Sequence, residues 1–236
     1  MNTLILLLVI FAAVIVGLAI AVRFVKALAR TIIIVVIIAL VLGAGLYVLT
    51  DANDLRVNFL SKEKLLLLDL DGNIVAAVIS KGVSVPVPVT DVKSLNVLYH
   101  SENYQSMLND NYKLVVFQWD SFRDLSIVGE DNYVFSIDDV KQIMELEDPK
   151  MFYVEKLVGE QGAAFLAPIS AQVEKIFPTN DYFRSVVFSF MIAQSFENTS
   201  IFEKYLDGTV FIYPETITLK LLKILPFSWV RDFLPD

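Results

Sequence analysis

Cysteine is absent from this 236-residue chain, which removes disulfides, thiolate metal sites and cysteine nucleophiles together. Histidine occurs once, as His100, so no two histidines can share a zinc ion. Neither a Gly-x-Ser-x-Gly elbow nor a Lys-Thr-Gly or Ser-Asp-Asn motif occurs, which leaves Ser61-Lys-Glu-Lys64 as an isolated Ser-x-x-Lys match. Glycine and proline number 9 and 8 and never cluster into a linker that would split the second part of the chain. No internal repeat or low-complexity run is present.

The most informative absence is of charge. No acidic residue precedes Asp51, and residues 1–50 carry only Arg23, Lys26 and Arg30 as charged side chains. Leu4–Val22 is 19 uncharged residues and Thr31–Thr50 is 20; as helices each is roughly 30 Å long, the thickness of a hydrocarbon core. The 56% hydrophobic composition is concentrated there. The pattern predicts an N-terminal two-helix transmembrane hairpin, with spans at about 4–22 and 31–50 and a basic loop, RFVKALAR, at 23–30. A cleaved signal peptide is the alternative for the first segment, but Met1-Asn2-Thr3 offers no basic n-region.

Lysine and arginine are retained on the cytoplasmic side during insertion. The loop 23–30 is therefore expected to be cytoplasmic and residues 51–236 extracytoplasmic, in a small prokaryotic membrane protein held in the lipid bilayer through residues 4–50. Small residues recur four apart at Ala13, Gly17 and Ala21 and at Ala39 and Gly43, a spacing that permits close helix packing. Neither span contains a charged residue or a proline, so this half reads as an anchor.

All 27 acidic residues lie in 51–236, against 16 of the 19 basic ones, a net of −11. That balance argues against nucleic acid as a partner. DANDLRVNF, residues 51–59, is expected to be a short polar tether, followed by one acidic domain of mixed α/β character, most simply α+β. Lys64–Leu70 and Ile74–Ser80 read as strands apolar on both faces, hence central, joined at Asp71-Gly72-Asn73, where a hairpin needs positive φ. VSVPVPV (83–89) is extended, but its prolines confine it to an edge or a connector. YKLVVFQW (112–119) and TVFIY (209–213) are further strands. Helices are expected from the Ser136–Asp139 capping box, from Asp148-Pro149 to about Val158, from a Ser170 cap to Pro178, and over 181–196, where an apolar circumference implies burial.

Leu65–Leu68 followed by Asp69-Leu70-Asp71-Gly72 resembles motif one of the haloacid-dehalogenase phosphatases. The resemblance implies Asp69 as nucleophile, Asp71 as general acid and base, and a Mg²⁺ cofactor. It covers about eight residues. Asn73 stands where the family has Thr, and Val128-Gly129-Glu130-Asp131 is the nearest approach to the later acidic pair. A hairpin needs the same residues for conformational reasons alone, and is the preferred account. An EF-hand fails on spacing, since Leu67 and Val78 would fall at ligand positions one and twelve. His100 is expected at a surface or helix end, and Asn198-Thr199-Ser200 is a lone glycosylation sequon.

The C-terminal segment 217–234 is amphipathic. As a helix it places Ile217, Leu221, Leu222, Ile224 and Leu225 on one side and Lys220 and Lys223 on the other. Such a segment either packs on the domain or lies in the membrane interface. The chain as a whole is expected to be an interaction or binding module for a partner protein or ligand at the membrane surface. The alternative is a Mg²⁺-dependent phosphate-ester hydrolase using Asp69 and Asp71.

Overall fold

A computed structural model describes residues 3–82, 86–128, 134–159, 162, 165–195 and 201–224, with the side chains of 3–29 outside the description. The chain divides into two compact units, Met1–Thr50 and Asp51–Asp236.

Residues 23–30 do not form the expected turn: one helix, α1, runs uninterrupted from Thr3 to Ser61. The physical reason lies in RFVKALAR itself. It contains no Gly, Pro, Asn or Asp, and its Ala, Leu, Lys and Arg rank among the strongest helix formers, so charge interrupts hydropathy there without interrupting the backbone. Among the described residues a single helical segment, Arg30–Ser61, is long and apolar enough to cross a membrane. The two-helix hairpin is thereby replaced by one long apolar helix.

The tether expected at 51–59 is also helical, and its inner face is core. Leu55 and Phe59, four residues apart, share one side of the helix and are buried. Phe59 packs against Phe202 with ring centroids 5.1 Å apart. The helix ends where Lys64 folds back, its Nζ donating to the Phe59 carbonyl at 2.6 Å. A lysine at a helix C-terminus satisfies a carbonyl that has no intrahelical donor.

Five strands form one sheet in the order β3-β2-β1-β4-β7, from β1 (Glu63–Leu70), β2 (Asn73–Lys81), β3 (Val87–Pro88), β4 (Lys113–Gln118) and β7 (Val210–Tyr213). Only β1 and β4 run parallel; the other pairs are antiparallel. β1 and β4 are central and apolar on both faces because both faces are covered. Leu66, Leu68, Val115 and Phe117 join one cluster, while Leu65, Leu67, Leu114 and Val116 join the other. Pro88 sits on the β3 edge, where no further ladder bond is asked of it.

The larger cluster is roofed by the end of α1 and by α4 (Ile137–Glu145), α5 (Pro149–Gly159), α6 (Leu166–Ile176), α7 (Asn180–Ser195), α8 (Ile201–Leu206) and α9 (Ile217–Leu222). The smaller is covered by α2 (Val92–His100) and α3 (Tyr104–Leu108). A small second sheet pairs β5 (Ile127–Val128) with β6 (Phe135–Ser136). The Ser136 box forms as expected even with Asp in place of Glu: the Asp139 amide donates to Ser136 Oγ at 3.2 Å and the Ser136 amide to Asp139 Oδ2 at 3.1 Å. Helix α6 begins at Leu166, so Ser170 lies inside it and caps nothing. The sequon at 198–200 and residues 129–131 of the acidic tetrapeptide lie outside the described residues.

Candidate functional site

The β1–β2 hairpin closes on the two-residue turn Asp71-Gly72, with Leu70 opposite Asn73 and φ of 53° and 85° at the two turn residues. Positive φ at both is the type I′ signature, which matches the twist of the strands it joins. The register slips between Leu68 and Asp69, leaving Val75 as the extra residue of a bulge. Bulges leave ladder groups unpaired; here the Ile74 amide donates to Asn96 Oδ1 at 2.8 Å.

Asn96 belongs to a clamp. Asn96, Tyr99 and His100 lie three and four residues apart on α2, so they share a face. The Tyr99 hydroxyl donates to Asp69 Oδ2 at 2.8 Å, and His100 Nε2 lies 3.2 Å from Asn73 Oδ1. Asp69 Oδ1 accepts the Gly72 amide at 2.7 Å, an Asx-type closure of the turn. Burial, and then the bond and charge of Asp69, hold the Tyr99 phenol protonated well above the usual tyrosine range. His100 is the last residue of α2 and exposed, at the helix end where it was expected.

β1 and β4 finish side by side, Asp69 opposite Gln118. Beyond them opens a cleft of about 360 Å³, lined by Asp69, Asp71 and Gly72 of the hairpin, Gln118, Trp119 and Asp120 after β4, and Lys141 of α4. The carboxyl end of parallel strands is where open α/β sheets place ligands. The cleft mouth holds three carboxylates against one ammonium, and Lys141 also reaches Glu145 at 3.8 Å.

The structure thus brings Asp69 and Asp71 to one cleft. Both Asp69 oxygens already accept a hydrogen bond, one from the turn and one from Tyr99, and among the described residues no group of three acidic or histidine side chains could hold a metal ion. Ser61 and Lys64 are each bonded to a different carbonyl, Val57 and Phe59, and form no catalytic pair.

Two features were not anticipated. At the amino ends of β1 and β4 the register neighbours Lys64 and Lys113 are both buried, and burial pushes both ammonium groups below the ordinary lysine range. Lys113, 2% exposed, donates to the Pro214 carbonyl at 2.7 Å. The signal was available, since lysine opposite lysine at the start of two strands demands partners. A second cleft, of about 790 Å³, lies where Asp91 before α2 meets Asn180 and Arg184 of α7. Arg184 spans it, donating to the Ile143 carbonyl at 3.3 Å and to Asp181 at 3.1 Å, which ties α4 to α7.

Compared with known protein families, with curated proteins and with solved structures, the chain finds no match.

Proposed function

We propose that the chain is a membrane-anchored interaction module. Residues 31–50 cross the bilayer, Arg23, Lys26 and Arg30 stay on the cytoplasmic side, and residues 51–236 act outside it, binding a partner protein or ligand. The observation that carries this reading is the state of the helix: Ile32–Ile38, Leu40–Leu42, Leu46, Tyr47 and Leu49 are exposed around its circumference, with no charge between Thr31 and Thr50. Apolar surface on all sides of a helix requires a non-aqueous surrounding. The basic residues Arg23, Lys26 and Arg30 before it support that orientation. The cleft beyond β1 and β4 is the seat for a ligand that the fold best supports.

Reporter fusions test the orientation. An export-dependent phosphatase reporter fused after Asp236 is expected to be active, and a reporter that functions only in the cytoplasm is expected to be silent. The reverse pair of results refutes the topology. The competing reading, Mg²⁺-dependent hydrolysis by Asp69 and Asp71, draws on their shared cleft and is opposed by the prior engagement of Asp69. Turnover of a generic phosphate ester by the detergent-solubilised full chain that is equal in wild type and Asp69→Asn disposes of it.

A further inference from the structure

We infer that helix α9 and the turn after it dock on the headgroup layer of the bilayer, with Ile217 and Lys220 of the helix and Ile224 of the turn as the lipid-facing side. This rests on the anchor reading of residues 31–50. The first observation is a bond: the Thr218 amide donates to Asp51 Oδ2 at 2.7 Å. Asp51 is the first residue after the uncharged run Thr31–Thr50, so the start of α9 is fastened to the point where the chain leaves the hydrocarbon.

The second observation is the division of the helix. Leu219 and Leu222 are buried in the larger core cluster. Ile217, Lys220 and Ile224, at spacings of three and four, fall on the remaining side, with Ile217 42% and Ile224 78% exposed and Lys220 exposed between them. This differs from the face expected from the sequence, where Leu222 joined Ile217 and the lysines stood opposite. Glu215 accepts from Lys223 at 2.7 Å, and Lys223 lies 4.6 Å from the Tyr205 ring centroid, whereas Lys220 feels the Glu215 charge but makes no side-chain hydrogen bond or ion pair among the described residues. Apolar side chains flanking a lysine are what an interfacial helix presents: the aliphatic groups enter the acyl boundary and the ammonium remains among phosphates.

The absence of cysteine makes the test direct. Single cysteines are placed in the full chain at Val41→Cys, Lys220→Cys, Ile224→Cys and Asp120→Cys, each carrying an environment-sensitive fluorophore. The proteins are reconstituted in phosphatidylcholine/phosphatidylglycerol nanodiscs containing lipids with a nitroxide in the headgroup or at mid-chain. Position 120 is exposed at the carboxyl end of β4, the opposite end of the sheet from α9, and serves as the aqueous reference. Labels at 220 and 224 are expected to be quenched by headgroup nitroxide at least twofold more than the label at 120, and the label at 41 by mid-chain nitroxide. Quenching at 41 with 220 and 224 no different from 120 overturns the docking of α9 and leaves the anchor standing. No quenching at 41 overturns the anchor and the docking with it. A label at 224 that is shielded from water yet not quenched means that protein covers the face, and also overturns the proposal. Lys220→Glu is expected to lower quenching at 224; unchanged quenching removes Lys220 from the contact.

Discussion

Replacing Asp69 by alanine separates a turn anchor from a catalytic carboxylate. In the fold Asp69 is 8% exposed and accepts two hydrogen bonds, from the Gly72 amide at 2.7 Å and the Tyr99 hydroxyl at 2.8 Å. Hydrogen bonds to a charged acceptor contribute about 1.5–3 kcal/mol each, and less where water reaches the pair. Asp69→Ala is therefore expected to cost about 2–4 kcal/mol, because it also strands the Tyr99 hydroxyl. Tyr99→Phe removes one bond and leaves the turn closure intact, for about 1–2 kcal/mol. The double variant should cost less than the two singles together, since both remove the same bond, with a coupling energy of about 1 kcal/mol or more. The assay is urea unfolding of a full chain carrying Trp229→Phe in mild detergent, followed by the fluorescence of the remaining Trp119, which lines the same cleft. Additive single-variant effects, or an Asp69→Ala protein within about 0.5 kcal/mol of wild type, would refute the clamp. Full stability together with lost phosphate-ester turnover would instead restore Asp69 as a nucleophile.

Two further outcomes follow from burial. Phe59→Ala is expected to destabilise the protein by about 3–5 kcal/mol, the cost of a large buried aromatic; a change under about 1 kcal/mol in the same urea titration would mean that residues 51–59 are a tether after all. Tyr99, Tyr112 and Tyr205 all have phenols raised above the ordinary value of 10.0, chiefly by burial and then by bonds to Asp69, Asp54 and Glu215, Tyr205 to about 12. The fold binds these protons more tightly than the unfolded chain, so their contribution is complete below pH 10 and is lost as pH rises through the folded values. The thermal midpoint should fall between pH 10 and 12, less steeply in Tyr99→Phe, and a flat profile in wild type would contradict the burial of these phenols.

How far the sequence could be read depended on whether each signal was local. The hairpin was legible because a type I′ turn imposes its demand on two adjacent residues, and Asp71-Gly72 meets it. The central strands were legible because Leu65–Leu68 and Val115–Phe117 are apolar on both faces, as only strands covered on both sides can be. The Ser136 box was legible for the same reason of proximity. Helix α2 was not: Val92 is its only fully buried residue, so VKSLNVLYH shows no strong apolar stripe. Yet α2 supplies Asn96, Tyr99 and His100, and with them the whole clamp on the turn. Spacings of three and four place those residues on one face, but nothing near them says that the face lies against a turn more than twenty residues earlier.

Helix α1 differs from the sequence expectation in the opposite way. At 23–30 and at 51–59 polarity interrupts the apolar pattern, which suggests that structure stops there, but the helix runs through both. Hydropathy reports solvent, however, whereas helix continuation depends on backbone preference, and neither stretch contains a proline or a glycine. The second stretch also carries a positive signal, Leu55 and Phe59 at i and i+4 among polar residues. That pair changes what the last turns of α1 do. With Asp51 bonded to the Thr218 amide and Asp54 accepting from the Tyr112 hydroxyl at 2.8 Å, residues 51–61 belong to the folded domain. Lengthening the chain between Thr50 and Asp51 with a flexible Gly-Ser insert should release α9 from the headgroups without unfolding the core. Retained quenching at position 224 in such an insertion variant would show that α9 binds lipid by its own affinity and not because Asp51 holds it there.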